Sequence, residues 1–250
     1  KVPAVLLHTG QHYDSAMKAA FFDQLAIPEP DIDLGVGSGT HAVQTADVMR
    51  RLEPVVDDVA PSAVLVVGDV NSTLATALVA VKKGIPVFHV EAGLRSYDRS
   101  MPEEVNRILT DQVSDLLFTT ERAARANLVR EGIDERRIRF VGNVMIDCLR
   151  QNLDRAVQAD RTLSPMEGGE RLLGSLAGFG VLTLHRPSNV DDKTRLTRLL
   201  EKLREISERL PLAFPLHPRT AGRIAAAGLG SLIATPNIVR FPPLGYLEML

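Results

Sequence analysis

Residues 89–120 read HVEAGLRSYDRSMPEEVNRILTDQVSDLLFTT, and the first carboxylate in them, Glu91, stands directly after an apolar, strand-like run. A second acidic pair, Glu103-Glu104, follows Pro102, and Arg95, Asp98 and Arg99 lie between. A carboxylate at a strand end and another at a helix start suit acid–base work, in which one group removes a proton and another returns it. Ordinary structure competes for the same residues. Arg95 is a local partner that would make Glu91 half of a salt bridge. Proline in a first helical turn with acids behind it is also a plain helix start, favoured by the macrodipole.

In open parallel sheets ligands bind beyond the carboxyl ends of the strands. The residues at those ends are Thr9-Gly10-Gln11-His12, Gly68-Asp69-Val70-Asn71, Glu91-Ala92-Gly93, Gly142-Asn143, His185-Arg186 and His217-Pro218-Arg219. In GDVNST, Asn71 or Ser72 can cap the helix that follows. Asp69 sits one step early for that task, which leaves its carboxylate for function. His185-Arg186 and His217 with Arg219 pair cations at two strand ends, an arrangement suited to a phosphate or diphosphate; two solvated His-Arg loops are the competing reading. His8 and His89 fall inside apolar strands and read as satisfied core histidines, and His41 as a helix cap. A phosphate-binding G-x-x-x-x-G-K-[ST] loop, a Cys/His metal spacing and a G-x-S-x-G elbow are all missing. GVGSG at 35–39 lacks a supporting strand-to-helix turn and reads as a flexible loop.

Short apolar runs position these residues: AVLLHTG, SAVLVVGD, IPVFHVEA, DLLFTT, RIRFVGN, FGVLTLH, LAFPLHP and NIVRF. They are apolar on consecutive residues, as strands buried on both faces of a parallel sheet are. Helix-length segments such as NSTLATALVAVKKG and TRLTRLLEKLREISERL separate them. The alternation predicts a doubly wound α/β fold. The polar stretch 151–177 reads as a helix and linker between a first unit, 1–150, with five strands and a second, 178–250, with three.

The 250 residues are 45% hydrophobic and 24% charged, as in an average globular protein. A net charge of -2 makes no case for nucleic acid or a membrane surface as partner. Cys148 stands alone, which excludes a disulfide framework and fits a reducing, cytoplasmic compartment. Both ends read as cuts through a larger protein: Lys1 leads at once into a strand-like run, and FPPLGYLEML looks like a helix just begun.

Taken together, TGQHYD, GDVNSTLA, HVEAGLRSYDRSMPEEVNR, ERAARANLVREGI, RIRFVGNVMIDCL, TLHRPSNVDD and PLHPRT resemble, in order, the motifs of non-hydrolysing UDP-N-acetylglucosamine 2-epimerases. The resemblance runs from residue 5 to residue 250. It implies two Rossmann-like domains of the GT-B type, the second incomplete here, and a UDP-sugar substrate. The implied reaction interconverts UDP-GlcNAc and UDP-ManNAc through 2-acetamidoglucal. It implies a cytoplasmic homodimer serving polysaccharide synthesis, with no metal or other cofactor, and UDP-GlcNAc as an allosteric activator in bacterial members. Matched residue by residue, Asp69, Glu91 and Glu103 take the places of the family's catalytic carboxylates and His185 that of its histidine. Arg186, Arg107, Asn143 and Arg95 match substrate contacts, and His217 a contact on the uridine side. Gln11 and His12 match the activator pocket.

The chain departs from the family pattern in three places. It has neither the opening GTRPE loop nor the later DSGG loop, and HRPSN replaces the commoner HRREN. The 250 residues alone are therefore expected to bind UDP-sugar poorly and to turn over little. A GT-B glycosyltransferase, a hydrolysing UDP-GlcNAc 2-epimerase and a non-catalytic sugar-nucleotide sensor are the alternatives. The first would want an acceptor site and has no need of three carboxylates.

Overall fold

Runs of valine, leucine and phenylalanine too short for helices form parallel strands in the computed structural model of the protein. The structure describes residues 3–10, 22, 24–176 and 178–250. The chain divides into two compact units, Lys1–Gln151 and Asn152–Leu250, each a Rossmann-like α/β assembly.

In the first unit β1 (Leu7–His8) pairs with β2 (Ile32–Asp33), and α1 (His41–Val59) follows. Then come β3 (Val64–Val67), α2 (Asn71–Lys82), β4 (Val87–Val90), α3 (Pro102–Val113), β5 (Leu116–Thr119), α4 (Arg122–Arg130), β6 (Ile138–Phe140) and α5 (Val144–Asn152). β3, β4, β5 and β6 make one parallel sheet in that order, with His89 of β4 level with Val66 of β3 and Leu117 of β5. Parallel neighbours need a crossover, and a helix supplies each one between β3 and β6. The ends of β3 and β4 therefore lie side by side. β2 was not anticipated; two residues among Pro30, Asp31 and Asp33 leave too short an apolar run to read.

Burial alternates along these strands, which corrects the expectation of two covered faces. Val66 and Val87 pack with Ala77 and Ala80 of α2, and Leu117 and Ile138 pack with Leu128 of α4. On the opposite face Leu65 is 59% and Val67 50% exposed. The cap of α1 is Thr40, whose hydroxyl accepts from the Val43 N–H, so His41 is the first helical residue and not the cap. The GVGSG loop is tied down: Arg51 donates to the Leu34 and Gly35 carbonyls at 2.8 Å each, and Gln44 to Gly37 at 3.0 Å.

In the second unit α6 (Ala159–Leu163) and α7 (Gly169–Leu173) precede β7 (Gly180–Val181), α8 (Pro187–Val190) and α9 (Lys193–Ser207). β8 (Leu212–Pro215), α10 (Pro218–Ala227), α11 (Gly230–Ile233), β9 (Ile238–Phe241) and α12 (Tyr246–Met249) complete it. The sheet order is β7-β8-β9, all parallel. Fully buried Phe214 centres one core cluster with Leu196, Leu200 and Ile224. Leu163 and Leu172 form another with Ala213, Val239 and Phe241. Stretch 151–177, read as a helix and linker, therefore contributes two short helices to this core.

Candidate active site at the strand ends

β3 ends one residue before Gly68, whose φ of +74° and N–H to the Val90 carbonyl (3.0 Å) turn the chain out of the sheet. Asp69 follows at the sheet edge. β4 ends one residue before Glu91, which adopts a left-handed φ of +69°. For a side chain with a Cβ that conformation costs of order 1–3 kcal/mol, so the surrounding structure must hold it. Gly93 completes the turn, and no other residue fits there: at φ +78° an added Cβ would lie 2.7 Å from the Ala124 carbonyl oxygen.

α3 meets both strand ends. Proline at its first position and acids behind it begin the helix, and Glu104, Arg107 and Asp111 recur at i, i+3 and i+7 on one face. Arg107 Nη2 lies 2.7 Å from Asp69 Oδ2 and 3.9 Å from Glu91 Oε2. One guanidinium thus serves two half-buried carboxylates, while its own buried Nε–H finds no acceptor among the described residues. Asn106 donates to the Asp69 carbonyl at 2.9 Å, and Asn71 donates to Gln44 at 2.8 Å. Asn71 therefore serves inside a buried amide network, not as the cap of α2, whose cap position is Val70.

Glu103 and Glu104 part company. Glu103 is exposed and makes no hydrogen bond or ion pair with the described residues, whereas Glu104 is 2% exposed. Glu104 accepts the Ser96 and Tyr97 N–H groups at 2.8 and 3.0 Å, which secures the loop leading from Glu91 to Glu103. Tyr97 donates its hydroxyl to Asn127 at 2.6 Å, and Asn127 donates to the Gly93 carbonyl at 3.0 Å.

Arg95 is neither a partner of Glu91 nor open to a substrate. Its side chain is 1% exposed, 2.7 Å from Asp111 and 2.6 Å from Glu131. Burial disfavours its charge, but hydrogen bonds to Glu131 and the field and hydrogen bond of Asp111 outweigh burial and hold the guanidinium above its ordinary pKa. The expectation of a substrate contact is corrected here to that of a buried structural cation. His89 is a satisfied core histidine, as its place in a strand implied. Asn143 starts α5, its side-chain oxygen accepting from the Met145 N–H at 2.9 Å.

In the second unit His185 and Arg186 are exposed beyond β7, and the His185 and His217 rings lie 5.7 Å apart, tilted by 32°. His217 caps α10: its Nδ1 accepts the Arg219 N–H at 3.2 Å, which places the ring proton on Nε2. Arg219 is not a free cation, because Asp191 takes both it and Arg223. The Arg219 hydrogen bond, chiefly, holds the Asp191 carboxyl below the usual range. Arg186, unlike Arg219 and Arg223, has no acidic partner among the described residues. Gln11 and His12 lie outside the described residues. Among the described residues no group of three His, Cys, Asp or Glu side chains is placed to hold a metal ion, and no helix is long and apolar enough to cross a membrane.

Asn106, Glu104, Asp111 and Asn71 were not singled out as site residues from sequence. For Glu104 and Asp111 the polar i, i+3, i+7 spacing with Arg107 on α3 was the available signal.

Two Rossmann-like units with charged side chains gathered at parallel strand ends define an α/β protein of the kind that binds ligands at the sheet edge. The UDP-N-acetylglucosamine 2-epimerase family model matches residues 1–250, and the chain belongs to that family. It is 45% identical over 249 residues to UDP-2,3-diacetamido-2,3-dideoxy-D-glucuronate 2-epimerase of Pseudomonas aeruginosa, covering 98% of this chain and 66% of the relative. It is 43% identical over 251 residues to UDP-N-acetylglucosamine 2-epimerase of Methanocaldococcus jannaschii, covering 98% and 67%. The crystal structure of the M. jannaschii enzyme in complex with UDP-GlcNAc and UDP matches with a TM-score of 0.83 at 42% identity, over 97% of this chain and 66% of that one. This structural match bears out the expected fold class. The chain spans about two thirds of the length of these relatives.

Proposed function

We propose that the protein of which this chain is part is a UDP-sugar 2-epimerase that interconverts UDP-GlcNAc and UDP-ManNAc without net hydrolysis. The observation that carries the reading is the convergence of Asp69 and Glu91 on Arg107 at neighbouring strand ends.

The C2 proton of the sugar is not adjacent to a carbonyl and resists simple removal. Departure of UDP from C1 with the C–O bonding pair builds positive charge, which nearby carboxylates stabilise. A carboxylate takes the C2 proton as the C–H pair becomes the C1=C2 bond of 2-acetamidoglucal. Inversion then requires a proton delivered to the other face of C2 while a UDP oxygen re-bonds to C1. More than one acid–base group is needed, and Asp69, Glu91 and Glu103 are the candidates. Arg107 limits repulsion between two of them. His185 and Arg186 suit the leaving diphosphate, and His217 the uridine side. A cytoplasmic homodimer, a part in cell-surface polysaccharide synthesis and an activator pocket at Gln11 and His12 belong to the same reading, supported by the motif resemblance. The P. aeruginosa relative favours a second substrate for the same chemistry, UDP-2,3-diacetamido-2,3-dideoxy-D-glucuronate.

Proton NMR of the full-length protein with each substrate in heavy water tests this. Deuterium at C2 with the C2-inverted UDP-sugar is expected. Free UDP with the free C2-inverted sugar would indicate a hydrolysing enzyme. No exchange with either substrate would defeat the epimerase reading.

A further inference from the structure

The reaction above assigns no task to His89, which is fully buried in β4. Both of its ring nitrogens face acceptors. Nε2 is 2.8 Å from the Gly68 carbonyl oxygen, and Nδ1 is 2.8 Å from Asp111 Oδ1. A carbonyl can only accept, so Nε2 carries a proton and donates it to Gly68. The Nδ1–Oδ1 bond needs one further proton, whichever of the two atoms holds it. The other oxygen of Asp111 accepts the Gly93 N–H at 3.1 Å and meets Arg95 at 2.7 Å, and Arg95 continues to Glu131.

The backbone units held in this way are those that carry the two carboxylates. Gly68 immediately precedes Asp69, and Gly93 closes the turn that Glu91 opens in a costly left-handed conformation. Asp111 lies one helical turn beyond Arg107, which reaches both carboxylates from the same helix. A histidine that needed only to be satisfied in a core could bond anywhere. This one spans the gap between the two strand ends, with a distinct tie to each.

We propose that the His89–Asp111 pair is a positioning device that sets the separation of Asp69 and Glu91, without touching substrate. The inference rests on the epimerase reading for its effect on turnover, but not for its effect on the carboxylates themselves. Catalytic groups tolerate little displacement; an error of about 1 Å costs about 100-fold.

Two variants of the full-length protein separate the ties. His89→Gln keeps an N–H toward Gly68 and loses the link to Asp111. His89→Asn keeps a donor toward Asp111 and leaves the Gly68 carbonyl bare. Carbon NMR of the side-chain carboxyls should show the Glu91 resonance moving in His89→Gln and the Asp69 resonance moving in His89→Asn. Turnover should fall about tenfold in the first and about 100-fold in the second, with KM and UDP affinity little changed. If the Asn variant does not fold, the Gln variant decides alone. Carboxyl resonances unmoved in a folded variant, or turnover lost only in proportion to unfolded protein, would overturn the proposal. A wild-type protein that shows no C2 exchange defeats the epimerase reading instead, and the carboxyl resonances still decide the role of His89.

Discussion

Arg107 Nη2 lies 2.7 Å from Asp69 at the end of β3, and the same nitrogen lies 3.9 Å from Glu91 at the end of β4. Arg107→Ala removes the one cation shared by two carboxylates that are only 23% and 22% exposed. Turnover should fall by at least about 100-fold, since both groups lose their placement. Stability should drop by about 1–3 kcal/mol, the cost of leaving partly buried acceptors unpaired. Arg107→Lys should recover part of the stability and little of the turnover, because a compact, strongly hydrated ammonium on a different stem does not place its charge where Nη2 stands. Urea unfolding and the heavy-water exchange assay read the two effects separately.

Glu103 and Glu104 are neighbours in sequence with opposite fates, and the same substitution should tell them apart. Glu103→Gln touches an exposed side chain with no partner among the described residues, so the thermal midpoint should stay put. Turnover should fall by about 10²–10⁴-fold, the usual contribution of a general acid or base. Glu104→Gln weakens the acceptor for two loop N–H groups and should cost about 1–3 kcal/mol of stability. A Glu103→Gln protein with full turnover would remove Glu103 from the mechanism.

Arg95 separates structure from substrate contact. Asp111 is fully buried, so Arg95→Ala leaves a buried carboxylate short of its partner, and roughly 3–5 kcal/mol of stability should be lost. Glu131→Gln should cost less, because Glu131 is 28% exposed and its side can rehydrate. If Arg95 held substrate, the signature would be a raised KM with the urea midpoint preserved.

The strand ends were legible because a parallel sheet announces itself: consecutive apolar residues, then glycine or an acid, then a helix. Seven of the eight apolar runs named from sequence needed nothing more than β-propensity to become β3–β9, and AVLLHTG became β1. β2 was lost because two residues carry no periodic signal. The bond partners were harder to see. Glu91 is the acid nearest Arg95 on that side in sequence, four residues away, yet in the fold Arg95 reaches Glu131 and Asp111, sixteen or more positions on. Arg219 likewise looked available until Asp191 claimed it. Local spacing ranks near neighbours first, whereas a buried cation goes wherever tertiary packing puts a carboxylate. α3 shows what could have been read: acids, amides and arginine recur at helical spacing where an ordinary helix would bury leucines.

Asp191 provides a test by pH that also bears on the diphosphate. Its carboxyl is held below the ordinary value first by the hydrogen bond from Arg219 and then, against some desolvation, by the charges of Arg219 and Arg223. A depressed folded-state pKa adds stability above the unfolded value, about 3.9, and that stability is lost as pH falls through the folded value. Arg219→Gln should therefore move the Asp191 titration upward toward the ordinary carboxylate range in carboxyl NMR. The variant should be less stable than wild type at neutral pH, and the gap in urea midpoint should narrow as pH falls below the ordinary carboxylate range and close once it passes the folded value of Asp191. Because Asp191 already neutralises Arg219, the same variant should leave the KM for UDP-sugar nearly unchanged. Arg186→Gln, which removes a cation with no acidic partner among the described residues, should raise it. The reverse pattern, with Arg219→Gln weakening binding and Arg186→Gln leaving it alone, would show that Asp191 releases Arg219 to the diphosphate when substrate is bound.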